Sequence, residues 1–360
     1  MPTNYTAAQE AAIACVDKPL QIIACAGSGK TQVISQRIAN LLRSGAAEPR
    51  NIVAFTFTEK AAAELKDRVL SLVTADGRTQ IGLAEMYIGT MHAFCLGLLK
   101  DYVPETFKFG TLTAVTSRLL IDRNSKKSGL TTCPTMSAGT AHLKRFTHSS
   151  LYLQVLSVLR EEEIAWGEVP GEVEASLMHY LRLLREKSYL DYTSMLQLAA
   201  ELLESDEPND EMGRALLDHV RDDVRYVVVD EYQDTNPLQE RLINALVRHG
   251  ANLCVVGDDD QTIYQWRGSA VRNIIEFADR HDDVEQVTLD ENFRSSEGVV
   301  ELGHSFAARI QRGNGCRSAW SQPDTRHGNE ATSWPWTSPT RPPRPPGSAI
   351  ASRRCEASLS

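Results

Sequence analysis

The chain has no run of about eighteen consecutive apolar residues, which excludes a membrane-spanning helix. Its N-terminus is polar around Asn4, Thr6 and Gln9 and lacks the charged and apolar regions of a secretory leader, so a cytosolic location is expected. Paired cysteines are missing as well. Cys15, Cys25, Cys95, Cys133, Cys254, Cys316 and Cys355 are scattered, and none forms a C-x-x-C pair or sits beside a His at ligand spacing. That pattern indicates neither a disulfide framework nor a zinc site. Positive charge is in deficit: 38 Lys and Arg stand against 47 Asp and Glu, a formal net charge of −9. Such a balance argues against coating nucleic acid through bulk electrostatics, and leaves open a local groove that holds a strand by stacking. What the 360 residues do contain is an ordinary apolar fraction of 42%, enough for two or three compact modules.

Short apolar runs end abruptly in polar or glycine-rich residues. Leu20 to Cys25 runs into Ala26-Gly27-Ser28-Gly29-Lys30-Thr31, and Ile52 to Phe55 into Thr56-Phe57-Thr58. Tyr226 to Val229 runs into Asp230-Glu231, and Leu253 to Val256 into Gly257-Asp258-Asp259-Asp260-Gln261. A weaker run, Val284 to Leu289, leads to Asn292-Phe293-Arg294. Helical spacing of apolar residues fills the gaps at Thr31 to Leu42, Ala61 to Val73 and Leu238 to Val247. Short buried strands separated by helices predict an α/β fold with a parallel sheet. Ligands of such sheets bind beyond the carboxyl ends of the strands, where all the polar clusters fall, so one shared site is expected.

Ala24 to Thr31 nearly fits the phosphate-binding pattern G-x-x-x-x-G-K-[ST], with Ala24 in place of the first Gly. Gly27 and Gly29 let backbone N–H groups turn toward phosphate, and Lys30 can reach the β- and γ-phosphates. Thr31 offers a hydroxyl to Mg²⁺ and opens a helix whose N-terminus favours anions. Asp230 at a strand end can hold Mg²⁺ through water, and Glu231 can orient and deprotonate an attacking water. Two adjacent carboxylates after a strand, taken alone, read as a solvated turn; the phosphate loop changes that reading. Cys25 inside the loop reads as a small residue tolerated there, with oxidative inhibition as the functional alternative.

Asp230-Glu231-Tyr232-Gln233-Asp234-Thr235-Asn236 resembles motif II of the UvrD/Rep/PcrA-type superfamily 1 DNA helicases, and Gly257 through Gly268 resembles their motif III. Thr56 through Glu64 is similar to motif Ia, and Gly89-Thr90-Met91-His92-Ala93-Phe94 to the DNA-contact motif that follows it. Leu289 through Ser295 is similar to motif IV, and Tyr5-Thr6-Ala7-Ala8-Gln9 to the N-terminal Q motif. Six motifs in the family's order span roughly Asn4 to Ile310. The resemblance implies a RecA-like P-loop domain with ATP and Mg²⁺ as ligands. It implies that Gln9 reads the adenine edge and that Phe293, where the family usually has Tyr, stacks on the base. Ala26, Gly27, Ser28, Gly29, Lys30 and Thr31 would cradle the phosphates, with Arg68 approaching them. Gln261 would sense the γ-phosphate, and Arg294 would stabilise charge on it. DNA contacts would come from Phe57, Thr90, His92, Tyr264, Trp266 and Arg267. Tyr264 and Trp266, two apart, would project to one side of an extended segment and stack on any base. Without the surrounding motifs, Tyr264 and Trp266 read as core aromatics and His92 as a core or capping histidine.

The expected organisation is a first motor segment at 1–100, an inserted and mostly helical subdomain at 101–191, a second motor segment at 192–312 and an irregular, disordered tail at 313–360. The insert is helix-like at Leu151 to Leu159 and Leu177 to Leu184. The tail carries Trp320, Trp334, Trp336 and Pro342-Pro343-Arg344-Pro345-Pro346 without helical or strand period. Lysine is absent after Lys187, which hints at GC-rich coding, and a shifted reading frame would yield such a tail. Resequencing the codons for Ile310 to Cys316 checks this: one uninterrupted frame defeats it. The family's second motor domain, with its further arginine at the γ-phosphate, is not recognisable here. The function expected is therefore that of a 3′–5′ single-stranded DNA helicase or translocase, present as its ATP-binding half. Its partners would be single-stranded DNA or a single/double-strand junction, with repair or replication proteins and no membrane, in a bacterial-type, nucleoid-associated setting. The alternative is a non-catalytic fragment that binds ATP and single-stranded DNA, inactive alone or needing a partner chain. A small-molecule kinase is disfavoured by the match through motifs Ia to IV, and an RNA helicase by the Asp-Glu-Tyr-Gln-Asp pattern.

Overall fold

A computed structural model describes residues 5–75, 82–134, 142–205, 211–261 and 272–307. The expected tail at 313–360 lies outside them, as do Tyr264, Trp266 and Arg267. The first segment runs α1 (Ala7–Ala14), β1 (Leu20–Ala24), α2 (Lys30–Ser44), β2 (Ile52–Phe55), α3 (Glu59–Thr74), β3 (Tyr87–Gly89) and α4 (Met91–Tyr102). The insert follows with β4 (Gly110–Thr111), α5 (Ala114–Arg123), α6 (Ser149–Glu161), α7 (Gly171–Glu186) and β5 (Tyr189–Leu190). The chain then continues through α8 (Tyr192–Glu204), α9 (Glu211–Asp223), β6 (Tyr226–Val229), α10 (Pro237–Val247) and β7 (Asn252–Gly257). Last come α11 (Arg272–Ile275), α12 (Phe277–Arg280), β8 (Glu285–Leu289) and α13 (Glu297–Ala307).

Six strands form one sheet in the order β3-β2-β6-β7-β1-β8, and every pairing in it is parallel. The α/β class with a parallel sheet flanked by helices is what the apolar runs predict. Alternation along each strand splits the core in two. Val53, Phe55, Val227 and Val229 pack with α4, α8, α9 and α10 on one face. Ile52, Ala54 and Val228 pack with α2 and α3 on the other. The apolar-run reading finds five of the six strands. It misses β3, which is three residues long and ends in Gly89, and it places Cys25 in the first strand, whereas β1 stops at Ala24.

The chain between β3 and β6 leaves the sheet and returns, so that β6 pairs with β2 although the two are far apart in sequence. β4 and β5 pair in parallel, bringing the entry and exit of this excursion side by side. Between them Leu112, Ile121, Leu130, Tyr152, Leu156, Leu177, Tyr180 and Leu184 form a third apolar cluster. Ion pairs tie it to the helices that follow: Arg160 on α6 forks onto Asp191, the N-cap of α8, at 3.1 and 2.6 Å, and Arg241 on α10 reaches Glu163, just past α6, at 2.8 Å.

Candidate nucleotide and nucleic-acid site

All six parallel strands end at one edge of the sheet, and each delivers a polar segment there. The loop after β1 depends on Gly27 and Gly29, both in the left-handed region at φ 79° and 88°. A Cβ at Gly27 would lie 2.7 Å from Asn292 Oδ1 and 2.9 Å from Arg294 Cβ. Gly29 is the N-cap of α2 and has no side chain to close its first turn, so the leading N–H groups of α2 stay available to an anion. The segment after β8 is strapped across this loop. The Cys25 N–H donates to Leu289 O at 3.2 Å, the Phe293 N–H to Gly27 O at 2.9 Å, and Asn292 Nδ2 to Ala26 O at 2.7 Å. Asn292 Oδ1 in turn accepts from the N–H groups of Arg294 and Ser295. Arg294 is thereby held beside the phosphate loop, and Phe293 is left exposed. The Cys25 thiol is pushed up to about 11, chiefly by burial and then by the Asp258 charge, which makes it a poor nucleophile.

Gln9 braces the loop from the other side. It completes a capping box with Thr6 on α1, and its Nε2 donates to Ser28 O at 3.0 Å. Ser28 Oγ donates to Cys25 O at 2.8 Å. Both ends of the Gln9 amide are engaged, so reading an adenine edge would require it to exchange one of these bonds. Arg68 is committed elsewhere: it pairs with Glu64 at 2.7 Å, one turn earlier on α3, and both are solvent-exposed.

Asp230 and Glu231 follow β6, with the Asp230 N–H donating to Phe55 O. Glu231 adopts φ 52°, an uncommon conformation for a non-glycine residue and a mark of local strain. Its Oε2 stands 3.5 Å from Lys30 Nζ and accepts from Gln233 Nε2 at 2.8 Å. Burial, and then the neighbouring Glu231 charge, pushes the Asp230 carboxyl up to about 7 against the pull of Lys30. Asp234 is pushed up to about 6 by burial and the same neighbour, and its Oδ1 is buried without a hydrogen-bond partner. Crowded, undercompensated carboxylates beside one lysine are what a dication would relieve. The donors available, the Thr31 hydroxyl and Asp230, are hard oxygens. They suit Mg²⁺, which takes one or two protein ligands and fills its sphere with phosphate and water. No larger His, Cys, Asp and Glu cluster of metal-binding spacing exists among the described residues.

Beyond β7, Asp258 gathers the next segment. Its Oδ2 accepts from Gln261 Nε2 at 2.5 Å and its Oδ1 from the Asp260 N–H at 3.1 Å. After β2 and β3 come Phe57 and Thr90-Met91-His92, which line a groove of about 800 Å³ together with Asp230, Glu231 and residues of the insert. Thr90 caps α4 and donates to Glu59 Oε1 at 3.0 Å. The His92 ring meets the Tyr192 ring edge-on at 5.4 Å, and burial lowers the His92 pKa, which favours the neutral imidazole. Sequence reasoning missed two residues here. Tyr192, half exposed at the start of α8, adds an aromatic face to the groove, and its only signal is its place after the Asp191 cap. Gln233 lies inside motif II, but nothing in the sequence says what its amide touches.

The family model for the UvrD/REP helicase N-terminal domain matches residues 5–282. The ATP-dependent DNA helicase PcrA of Staphylococcus epidermidis is 31% identical over 311 residues, covering 84% of this chain and 39% of that protein. The PcrA of Bacillus subtilis is 30% identical over 306 residues, covering 82% and 38% respectively. The chain thus spans about two fifths of the length of these relatives. The matched stretch contains the phosphate loop, the Asp230-Glu231 pair and the insert, and on that footing the chain belongs to the UvrD/REP helicase N-terminal domain family.

Proposed function

We propose that this chain is the ATP-binding portion of an ATP-dependent DNA helicase or translocase that steps 3′ to 5′ along a single strand. The observation that carries the reading is the convergence at one sheet edge of Gly27–Thr31, Asp230-Glu231, Gln261 and Asn292–Arg294, adjoining a groove that holds Phe57, Thr90 and His92. Lys30 and the N-terminus of α2 bind the phosphates. Thr31 and Asp230 would hold Mg²⁺, which when bound would supply positive charge to offset that of the phosphates. Glu231 orients the attacking water, Gln261 senses the γ-phosphate and Arg294 offsets its charge. Gln9 and Phe293 take the base, and Arg68 approaches the phosphates only if it leaves Glu64. Single-stranded DNA occupies the groove, and Tyr264, Trp266 and Arg267, which lie outside the described residues, are proposed as further DNA contacts. DNA repair or replication proteins are the partners this reading implies. Among the described residues no helix is long and apolar enough to cross a membrane.

A second reading, an ATP- and DNA-binding fragment that turns over little by itself, is favoured by the share of the relatives' length that the chain matches. ATP turnover by the purified chain, with and without oligo(dT) and beside a Glu231→Gln control, decides between them. DNA-stimulated turnover lost in the control supports the motor. ATP binding with turnover no faster than the control supports the fragment, and absence of ATP binding defeats both.

A further inference from the structure

Gln233 is 1% exposed and sits between two strand ends. Its Oε1 accepts from the Asp258 N–H at 3.0 Å, and its Nε2 donates to Glu231 Oε2 at 2.8 Å. The orientation of the amide follows from chemistry. A backbone N–H only donates, so Oε1 must face Asp258; an ionised carboxylate only accepts, so Nε2 must face Glu231. Neither end has a spare partner of the opposite kind. Gly257 makes the bridge possible, because a Cβ there would land on Gln233 Oε1 and on Ile274. From Asp258 the bonds continue to Gln261, the last described residue before the segment that carries Tyr264 and Trp266. An unbroken chain of polar contacts therefore runs Lys30, Glu231, Gln233, Asp258, Gln261.

We propose that Gln233 is the positioning residue that holds the Glu231 carboxylate and ties its placement to the loop after β7, so that nucleotide and single-stranded DNA sense each other through this amide. The inference rests on the proposed function and adds to it the residue that carries the coupling. Gln261 alone cannot do this, since its side chain is bound to Asp258 and not to Glu231. A Gln233→Glu change keeps the shape and the acceptor for Asp258 but removes the donor to Glu231 and sets two carboxylates together. Gln233→Ala removes both bonds.

The test is a binding cycle on the full chain, which needs no turnover: the affinity for Mg²⁺ with a non-hydrolysable ATP analogue is measured with and without oligo(dT), and the affinity for oligo(dT) with and without the analogue. Coupling is reciprocal, so both arms must give one factor. The wild-type chain is expected to show a factor of about fivefold or more, within the usual range for linked sites. In Gln233→Glu and Gln233→Ala the factor falls below about twofold, while each separate affinity stays within about threefold and the melt stays cooperative. A Gln233→Ala, Gln261→Ala double variant should lose no more coupling than the worse single variant, as expected for two links in one chain. Wild-type coupling that survives both Gln233 substitutions overturns the proposal, as does wild-type binding of both ligands without coupling. Loss of analogue binding together with the cooperative melt in both variants also overturns it, because the amide is then merely structural. A wild-type chain that binds no analogue at all defeats the proposed function, and this inference with it.

Discussion

Gly27 shows how tightly the phosphate loop is built. An alanine there must adopt the left-handed backbone, at a cost of about 1–2 kcal/mol, and its methyl would meet Asn292 Oδ1 and Arg294 Cβ. Gly45, the C-cap of α2, has the same backbone sign at φ 74° but open space around its missing Cβ. Gly27→Ala should therefore weaken binding of a fluorescent ATP analogue by about tenfold or more, since the strap carrying Arg294 must move. Gly45→Ala should lower stability by about 1 kcal/mol and leave the affinity alone. Equal losses of affinity in the two variants would show that the loop tolerates the shift and that the strap is not part of the site. Lys30, Asp230 and Glu231 were legible in the sequence because each stands at a fixed place in a motif after a strand. Gln233 was not, because its role depends on Gly257 approaching from a neighbouring strand. The pairing of Arg68 with the Glu64 carboxylate one turn away was not legible either, because sequence spacing does not show which partner an exposed arginine takes.

Among the elements, α6, α7 and α8 meet at one carboxylate. Asp191 caps α8 by accepting from the Ser194 N–H, takes the Arg160 fork from α6, and accepts from the Tyr180 hydroxyl of α7 at 2.8 Å. Burial alone would raise its pKa, but the Arg160 charge and the hydrogen bonds from Arg160 and Ser194 prevail and hold it at about 2. An unfolded aspartate titrates near ~3.9, so between these values the unfolded chain binds more protons and stability rises with pH. The contribution, about 2 kcal/mol, is fully present above roughly pH 5 and is lost as pH falls toward 2. Asp191→Asn should cost about 3–5 kcal/mol by leaving Arg160 buried without its partner. It should also flatten the pH dependence of urea unfolding between about pH 2.5 and 5, and an unchanged slope there would remove Asp191 as its source. Adding Arg160→Met should restore much of the loss. Nothing in the sequence announces this junction. The buried strands were legible because a sheet covered on both faces needs continuous apolar runs, whereas β3, short and half-buried, carries too little pattern to stand out. The helices α6 and α7 run longer than the apolar spacing at Leu151 to Leu159 and Leu177 to Leu184 suggests, because their polar first and last turns carry no periodicity.

At the scale of the molecule, net charge and groove chemistry point the same way. With a formal charge of −9, the chain has little long-range attraction for a polyanion. The described lining of the groove carries one guanidinium, Arg118, against Glu59, Glu161, Asp191, Asp230, Glu231 and Asp234. His92, with its pKa lowered by burial, adds no charge at neutral pH. A strand held here must be held through its bases, on Phe57 and the Tyr192 and His92 rings, with few phosphates neutralised. The number of counterions released on binding is then small. For a single strand the slope of log affinity against log salt is about −0.7 per neutralised phosphate, so one or two such contacts give about −0.7 to −1.4. Titrating oligo(dT) against the chain from low to moderate salt should return a slope in that range. Phe57→Ala should lower the affinity by about 1–3 kcal/mol with no change of slope, the mark of a lost stack. Arg118→Ala should make the slope shallower by about 0.7. A slope several times steeper in the wild-type chain would place the strand on a basic surface away from this groove, and Phe57→Ala would then be silent.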